Sequence, residues 1–93
     1  MRLPAELTHA QASACWYALE PQIVGSAQSH LGIDASDLTV FDSSALAVLL
    51  ACRRAALAAG KSLAIQGLPP GLQAISVLYG VQPLLSPSDP PAS

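Results

Sequence analysis

Segments with strand character and segments with helical character alternate three times along the chain, and this order constrains the fold most. In the strand candidates, hydrophobic residues stand at every second position, as in half-buried strands. Parallel strands need a long crossover connection, usually a helix, so a repeated strand-helix order favours parallel pairing with right-handed crossovers. The sequence therefore predicts an α/β fold, a small and mostly parallel sheet of about three or four strands with about three helices. The predicted strands cover residues 2–7, 30–34 and 62–66.

Capping residues set the limits of the three predicted helices. Thr8 can cap the first helix, and Pro21 and Gly25 are expected to end it. Gly60 closes the second helix as a C-terminal cap, and Pro70 suits the first position of the third. The helices are predicted over residues 9–20, 44–59 and 70–79.

Hydrophobic periodicity and proline positions also predict how these elements pack. Pro4 indicates that the first strand lies at an edge of the sheet or starts late, because proline cannot donate to a strand ladder. Leu38 and Val40 are expected to anchor a loop. The inner face of the third helix is predicted to hold Leu72, Ile75, Leu78 and Tyr79.

A chain of 93 residues with a hydrophobic fraction of 52% can build one small domain with one core. We expect this domain to span residues 1–85, with Leu84 and Leu85 making a last apolar contact, and residues 86–93 to form a disordered tail. A formal net charge of −2 with only four Lys and Arg residues argues against nucleic-acid binding. No signal peptide or membrane-spanning run is visible, which predicts a soluble, cytoplasmic protein without direct membrane insertion.

Residues suited to catalysis or metal binding are sparse. Catalysis by Ser43 would need a base, and the two histidines, His9 and His30, accompany no recognisable nucleophile motif. Neither histidine has carboxylates at ligand spacing, and no glycine-rich phosphate loop occurs, so no metal or cofactor is expected. Cys15 and Cys52 belong to no Cys-x-x-Cys motif, which favours two reduced thiols over a disulfide or redox pair. The sequence predicts a protein that is not an enzyme.

The junction Asp42-Ser43-Ser44 is the best indication of function in the residues themselves. It leads into the most apolar helix of the chain, whose first N–H groups and positive dipole end attract a capping side chain or an anion. Ser43 as a plain helix cap is one interpretation. Two hydroxyls exceed what a cap requires, so the other interpretation is a contact point for a partner, or a site whose phosphorylation switches binding.

The central helix carries more apolar surface than contact with the sheet requires. At 100° per residue, the side assigned to the sheet holds Leu46, Leu49, Leu50, Ala56 and Leu57. Either neighbouring elements cover the opposite side or a partner protein does, since small side chains allow close approach. A homodimer would cover it equally well. That opposite side holds Ala47, Val48, Ala51, Cys52 and Ala55, flanked by Arg54.

The segment from Leu31 to Asp34 and the run from Leu38 to Leu50 together resemble the core of the STAS domain family, named for sulfate transporters and anti-sigma factor antagonists. The shared pattern is a hydrophobic strand ending in Asp, a short loop, Asp-Ser/Thr-Ser/Gly and a leucine-rich helix, and it continues to residue 63. The resemblance implies a STAS-like fold for most of the chain. Ala45 stands where the family usually has Gly. The family also usually begins with an additional strand, so an exposed sheet edge or a late start is expected here.

The resemblance implies two functions. Some STAS proteins are small cytoplasmic subunits that bind and support the ATPase of the phospholipid ABC transporter that maintains outer-membrane lipid asymmetry, and residues 78–85 are similar to that group. In that version Ser43 contacts the ATPase, with Asp42 and Ser44 supporting the helix start. Other STAS proteins are anti-sigma factor antagonists, in which the serine that matches Ser43 is phosphorylated by an anti-sigma factor kinase.

Overall fold

The computed structural model describes residues 1–80, and within them the predicted α/β fold is confirmed. In this range both strand pairs are parallel, and three helices accompany four strands. The predicted contact of Leu84 and Leu85 and the predicted tail 86–93 lie outside the described residues. In chain order the elements are β1 (Glu6–Leu7), α1 (His9–Gly25), β2 (His30–Asp34), β3 (Val40–Phe41), α2 (Ser43–Ala58), β4 (Ser62–Gln66) and α3 (Pro70–Leu78).

The N-terminal segment, residues 1–7, connects two short strand ladders. β2 pairs with β4, and β1 pairs with β3. A single parallel bridge between Arg2 and Asp34 also joins the N-terminal segment to β2. Residues 1–7 therefore run first beside β2 and then beside β3. The predicted strand 2–7 is regular only at Glu6–Leu7, because the segment changes its hydrogen-bonding partners from Asp34 to Thr39 and Val40 along its length.

Strand β3 forms where the sequence predicts only a loop. The backbone N–H groups of Thr39 and Val40 both donate to the carbonyl of Ala5, at N–O distances of 2.8 and 3.0 Å. Two residues are too few to show alternation, so the strand exists because β1 offers backbone partners there.

Helix α1 continues through Pro21 to Gly25, so its predicted end near residue 20 is wrong, whereas Thr8 is its N-cap as predicted. A proline inside a helix removes a hydrogen bond and costs about 3 kcal/mol or more. Tertiary contacts offset this cost. Ile23, beyond the proline, is fully buried, and the ammonium group of Lys61 binds backbone carbonyls at the end of the helix.

Helix α2 is buried along one broad face, which is wider than the predicted one and turned towards Val48 and Cys52. Leu46 and Leu49 are buried as expected. Val48 and Cys52, on the side opposite the predicted sheet face, are also buried, at 5% and 0% exposure. For these two residues the first alternative holds, cover by a neighbouring element, and the prediction of Val48 as a partner-facing residue is wrong. The cause is α1, which packs along α2. Leu57, predicted to face the sheet, is 48% exposed.

Helix α3 also presents a different face from the predicted one. Leu72 is buried and Ile75 is half-buried, but Leu78 and Tyr79 are 80% and 58% exposed. Leu78 follows Leu72 by six positions, which turns it about 120° away from the buried centre of the helix. Ser76 is buried in their place, and its hydroxyl donates to a carbonyl of the same helix at 2.6 Å.

Candidate functional site at the start of helix α2

Asp42 is the N-cap of α2, so the interpretation of Ser43 as the helix cap is wrong. One carboxylate oxygen of Asp42 accepts a hydrogen bond from the Ser44 backbone N–H at 2.8 Å. The other accepts from the backbone N–H of His9 at 3.1 Å. Because His9 is the first residue of α1, a single carboxylate satisfies N–H groups in the first turns of two helices.

The electrostatics of this cap favour the charged form of Asp42. Hydrogen bonds to the carboxylate, above all the one from the Ser44 backbone N–H, hold the pKa of Asp42 below its ordinary value. The start of α2 therefore carries a fixed negative charge at neutral pH. That charge lies beside the helix dipole end, which is favourable for an acidic group.

A carboxyl titration tests this description of the cap. We expect the pKa of Asp42 to lie below the ordinary Asp value of about 3.9 in the folded protein, measured by carbon NMR of the carboxyl. Because the folded pKa is depressed, the stabilisation that Asp42 contributes is fully present above its unfolded pKa. It is lost as the pH falls through the lowered folded pKa. Asp42→Asn keeps a capping oxygen but cannot titrate, so it should reduce this loss at low pH. An Asp42 pKa at or above the ordinary value would contradict the double cap.

The two serines of the junction are not equivalent in the structure. Ser43 is the first residue of α2, its side chain is exposed, and within residues 1–80 its hydroxyl takes part in no hydrogen bond. Ser44 is half-buried, and its backbone N–H is bound to Asp42. The structure therefore leaves Ser43, rather than Ser44, accessible to another molecule.

An exposed stripe runs from Ser43 along α2. Ala47 and Arg54 are exposed, whereas Ala51 and Ala55 are half-buried. Val48, which the sequence places in this surface, lies in the core instead. Residues 43, 47, 51 and 54 are spaced to share one side of a helix, and we call this surface the α2 stripe. It has small side chains between a hydroxyl at one end and one positive charge at the other.

The described part of the chain offers little support for metal binding or for thiol chemistry. Among residues 1–80, no three side chains of His, Cys, Asp or Glu are grouped as a metal site requires. Cys15 and Cys52 are free thiols. Burial raises the pKa of Cys52 to about 12 and also raises that of Cys15, which keeps both thiols protonated and poorly nucleophilic. No helix in the same range is long and apolar enough to cross a membrane.

Sequence reasoning missed two features of the site. Gln11 accepts hydrogen bonds from the Thr8 backbone N–H at 2.9 Å and from the Thr8 hydroxyl at 2.6 Å. A Thr followed by Gln three positions later is a capping-box pattern, so this pair is visible in the sequence. The bond between Asp42 and His9 is not, since it spans 33 positions and depends on how two helices meet.

A small parallel α/β domain, with an Asp-Ser-Ser junction opening its central helix, has the features of a STAS domain. A family model described as "Mlab, STAS domain" matches residues 1–86. The chain therefore belongs to the STAS domain family. No curated protein matches the chain significantly.

Proposed function

We propose that the chain is a non-enzymatic, cytoplasmic subunit that binds and supports the ATPase of a phospholipid-transport ABC transporter, the type that maintains outer-membrane lipid asymmetry. The observation that carries the proposal is the exposed hydroxyl of Ser43 at the head of the α2 stripe, which forms no hydrogen bond to any other residue of the range 1–80. The family description, which includes the word Mlab, supports this branch of the STAS family.

The physical properties of the α2 stripe suit a protein partner. Ala47 and Ala51 let another backbone approach closely, and Arg54 can pair with an acidic group at the rim of an interface. Ser43 can donate and accept a hydrogen bond at the end where the stripe begins. Because Asp42 already satisfies backbone groups at this helix start, Ser43 contributes its side chain to the partner without uncapping α2.

Co-purification with a candidate ATPase subunit tests the proposal. The variant Ser43→Arg puts a long charged side chain at the head of the stripe and should weaken ATPase binding by about tenfold or more. The matched control is Ala74→Arg, which places the same side chain at an exposed position of α3. Circular dichroism checks that both variants fold. Equal binding by wild type, Ser43→Arg and Ala74→Arg would reject Ser43 as the docking point.

A second candidate function is an anti-sigma factor antagonist switched by phosphorylation of Ser43. The same exposed hydroxyl favours it, because a phosphoacceptor must reach a kinase active site. Phosphate there would lie beside the Asp42 carboxylate and would meet like-charge repulsion. Incubation with an anti-sigma factor kinase and ATP, followed by mass spectrometry, separates the two functions. Phosphate on Ser43 supports the switch, whereas an unmodified Ser43 together with ATPase binding supports the transporter subunit.

A further inference from the structure

Helix α1 carries an exposed stripe that matches the α2 stripe in spacing. Four exposed residues of α1 are spaced to share one side of the helix, and we call this side the α1 stripe. It holds Ser13, Tyr17, Glu20 and Val24. The α2 stripe repeats these intervals at residues 47, 51 and 54, and the exposed Ala58 continues it. Each of these α2 positions corresponds to the α1 position 34 residues earlier.

The two stripes lie side by side at the same heights. The two helices run in the same direction, because Asp42 joins the start of α2 to His9 at the start of α1, and Lys61, just after α2, binds the end of α1. Residues 1–7 lie between β2 and β3, so both crossovers run the same way across the strands, and right-handed connections put α1 and α2 on one face. The exposed sides of the two helices therefore form one outer face. Residues equally far from the two helix starts lie level, which pairs Ser13 with Ala47, Tyr17 with Ala51, Glu20 with Arg54 and Val24 with Ala58.

The two stripes are complementary in size and in charge. On the α1 stripe the large apolar side chains of Tyr17 and Val24 are 72% and 57% exposed. The α2 stripe has alanine at both matching heights. Glu20 and Arg54 are exposed and opposite in charge, and neither forms a salt bridge within residues 1–80. The α1 stripe thus offers bulk and a negative charge where the α2 stripe offers space and a positive charge.

From this complementarity we infer that the outer face binds a second copy of the chain, around a two-fold axis that runs parallel to the helices and between them. Rotation about this axis places α1 of each copy over α2 of the other and leaves every height unchanged. Tyr17 of each copy then packs on Ala51 of the other. Glu20 pairs with Arg54 of the other copy, and the same pair forms twice. An unrelated partner would have to match both stripes, whereas a second copy does so by symmetry.

The size of the outer face predicts a weak dimer. Each helix is about 25 Å long and about 10 Å across, so the pair presents roughly 500 Å². Stable complexes typically bury about 800 Å² on each partner. We therefore expect a dissociation constant of about 10–100 μM. The dimer does not depend on the transporter function, but it includes the α2 stripe, so a second copy and an ATPase subunit would compete for that surface.

Sedimentation equilibrium of the full chain between about 5 μM and about 1 mM tests the dimer. Wild type should pass from monomer to dimer over this range. Glu20→Arg and Arg54→Glu each create like-charge contacts at two places in the dimer and should raise the dissociation constant by about tenfold or more. The matched control Glu6→Arg makes the same charge change at an exposed position outside both stripes and should leave the dissociation constant unchanged. Wild type that stays monomeric at about 1 mM, or a dimer that neither stripe variant weakens, would overturn the inference.

A mixture of the two charge-reversed variants tests the reciprocal pairing. In a heterodimer of Glu20→Arg with Arg54→Glu, an Arg meets a Glu at both contacts. Mixing should therefore restore association to about the wild-type dissociation constant, although each variant alone is weakened. This gain of association also shows that both variants are folded. A mixture that associates no better than its components would overturn the two-fold arrangement. Glu20 lies outside the α2 stripe, so Glu20→Arg distinguishes loss of the dimer from loss of ATPase binding through Ser43.

Discussion

Gly67→Ala is expected to lower the free energy of unfolding by about 2–5 kcal/mol, for two reasons that add. Gly67 has a φ of 71°, a left-handed conformation that costs a residue with a Cβ atom about 1–2 kcal/mol. A Cβ built there would also lie 2.9 Å from the Ser36 Cβ and 3.0 Å from the Ser36 Cα and N atoms. These neighbours are mostly backbone, and relieving such overpacking costs roughly 1–3 kcal/mol more.

Gly60→Ala is the matched control for Gly67→Ala. Gly60 has nearly the same φ, 74°, but a Cβ there would meet nothing within 4 Å. Gly60→Ala should therefore lower the free energy of unfolding only by the cost of the left-handed backbone conformation, about 1–2 kcal/mol. Urea denaturation of both variants measures the difference. If the two substitutions destabilise equally, the close packing of Ser36 against Gly67 does not hold in solution.

The contact between Gly67 and Ser36 also shows which features of the fold the sequence does not predict. The turn after β4 was predictable, because Gly67 precedes two prolines. The neighbour of Gly67 was not, since Ser36 is 31 positions away. Its loop is positioned by local bonds, in which the Ser36 backbone N–H and hydroxyl both donate to Asp34, at 2.9 and 2.6 Å. The sequence thus reveals that a glycine is needed but not what it packs against.

Elements with strong local signals were predicted closely. Strands β2 and β4 have the predicted bounds, and α2 begins and ends one residue before its predicted limits. Their alternation and the cap at Gly60 are local properties of the chain. Strand β3 and the last turn of α1 depend on distant partners, namely β1 for the strand and Lys61 for the helix end. Tertiary contacts there override the local preference for a loop and the break expected at Pro21.

The sequence predicts where α2 begins, but not which residue of the junction caps it. The Asp42-Ser43-Ser44 junction does open α2, as predicted. Which residue caps the helix depends on backbone geometry, and Asp42 rather than Ser43 has the extended conformation of an N-cap. Helical periodicity likewise gives the angles of residues around α2 but not the position of α1. Periodicity therefore predicts that Val48 lies opposite the sheet, but not that α1 covers it.

Lys61→Met is the second substitution for which we expect a large loss of stability, about 1.5–3 kcal/mol. The Lys61 Nζ donates to three backbone carbonyls at the end of α1, those of Ile23 at 2.7 Å, Val24 at 3.2 Å and Ser26 at 2.6 Å. These carbonyls lack partners within the helix, and the helix C-terminus favours a positive charge. Met keeps the length and apolar stem of the side chain, so the variant removes the ammonium group specifically.

The residues that lose stability in Lys61→Met should identify the cause of the destabilisation. Pro21 has already removed one hydrogen bond near the end of α1, so the final turn depends on Lys61 more than an uninterrupted helix would. We therefore expect amide hydrogen exchange in residues 22–25 of Lys61→Met to accelerate more than exchange in α2 under native conditions. Arg54→Met is the control, because it removes an exposed charge from α2 and should change stability by less than about 0.5 kcal/mol. Equal stability of Lys61→Met and Arg54→Met would show that the last turn of α1 forms without the ammonium group. The burial of Ile23 would then be the interaction that allows the helix to continue beyond Pro21.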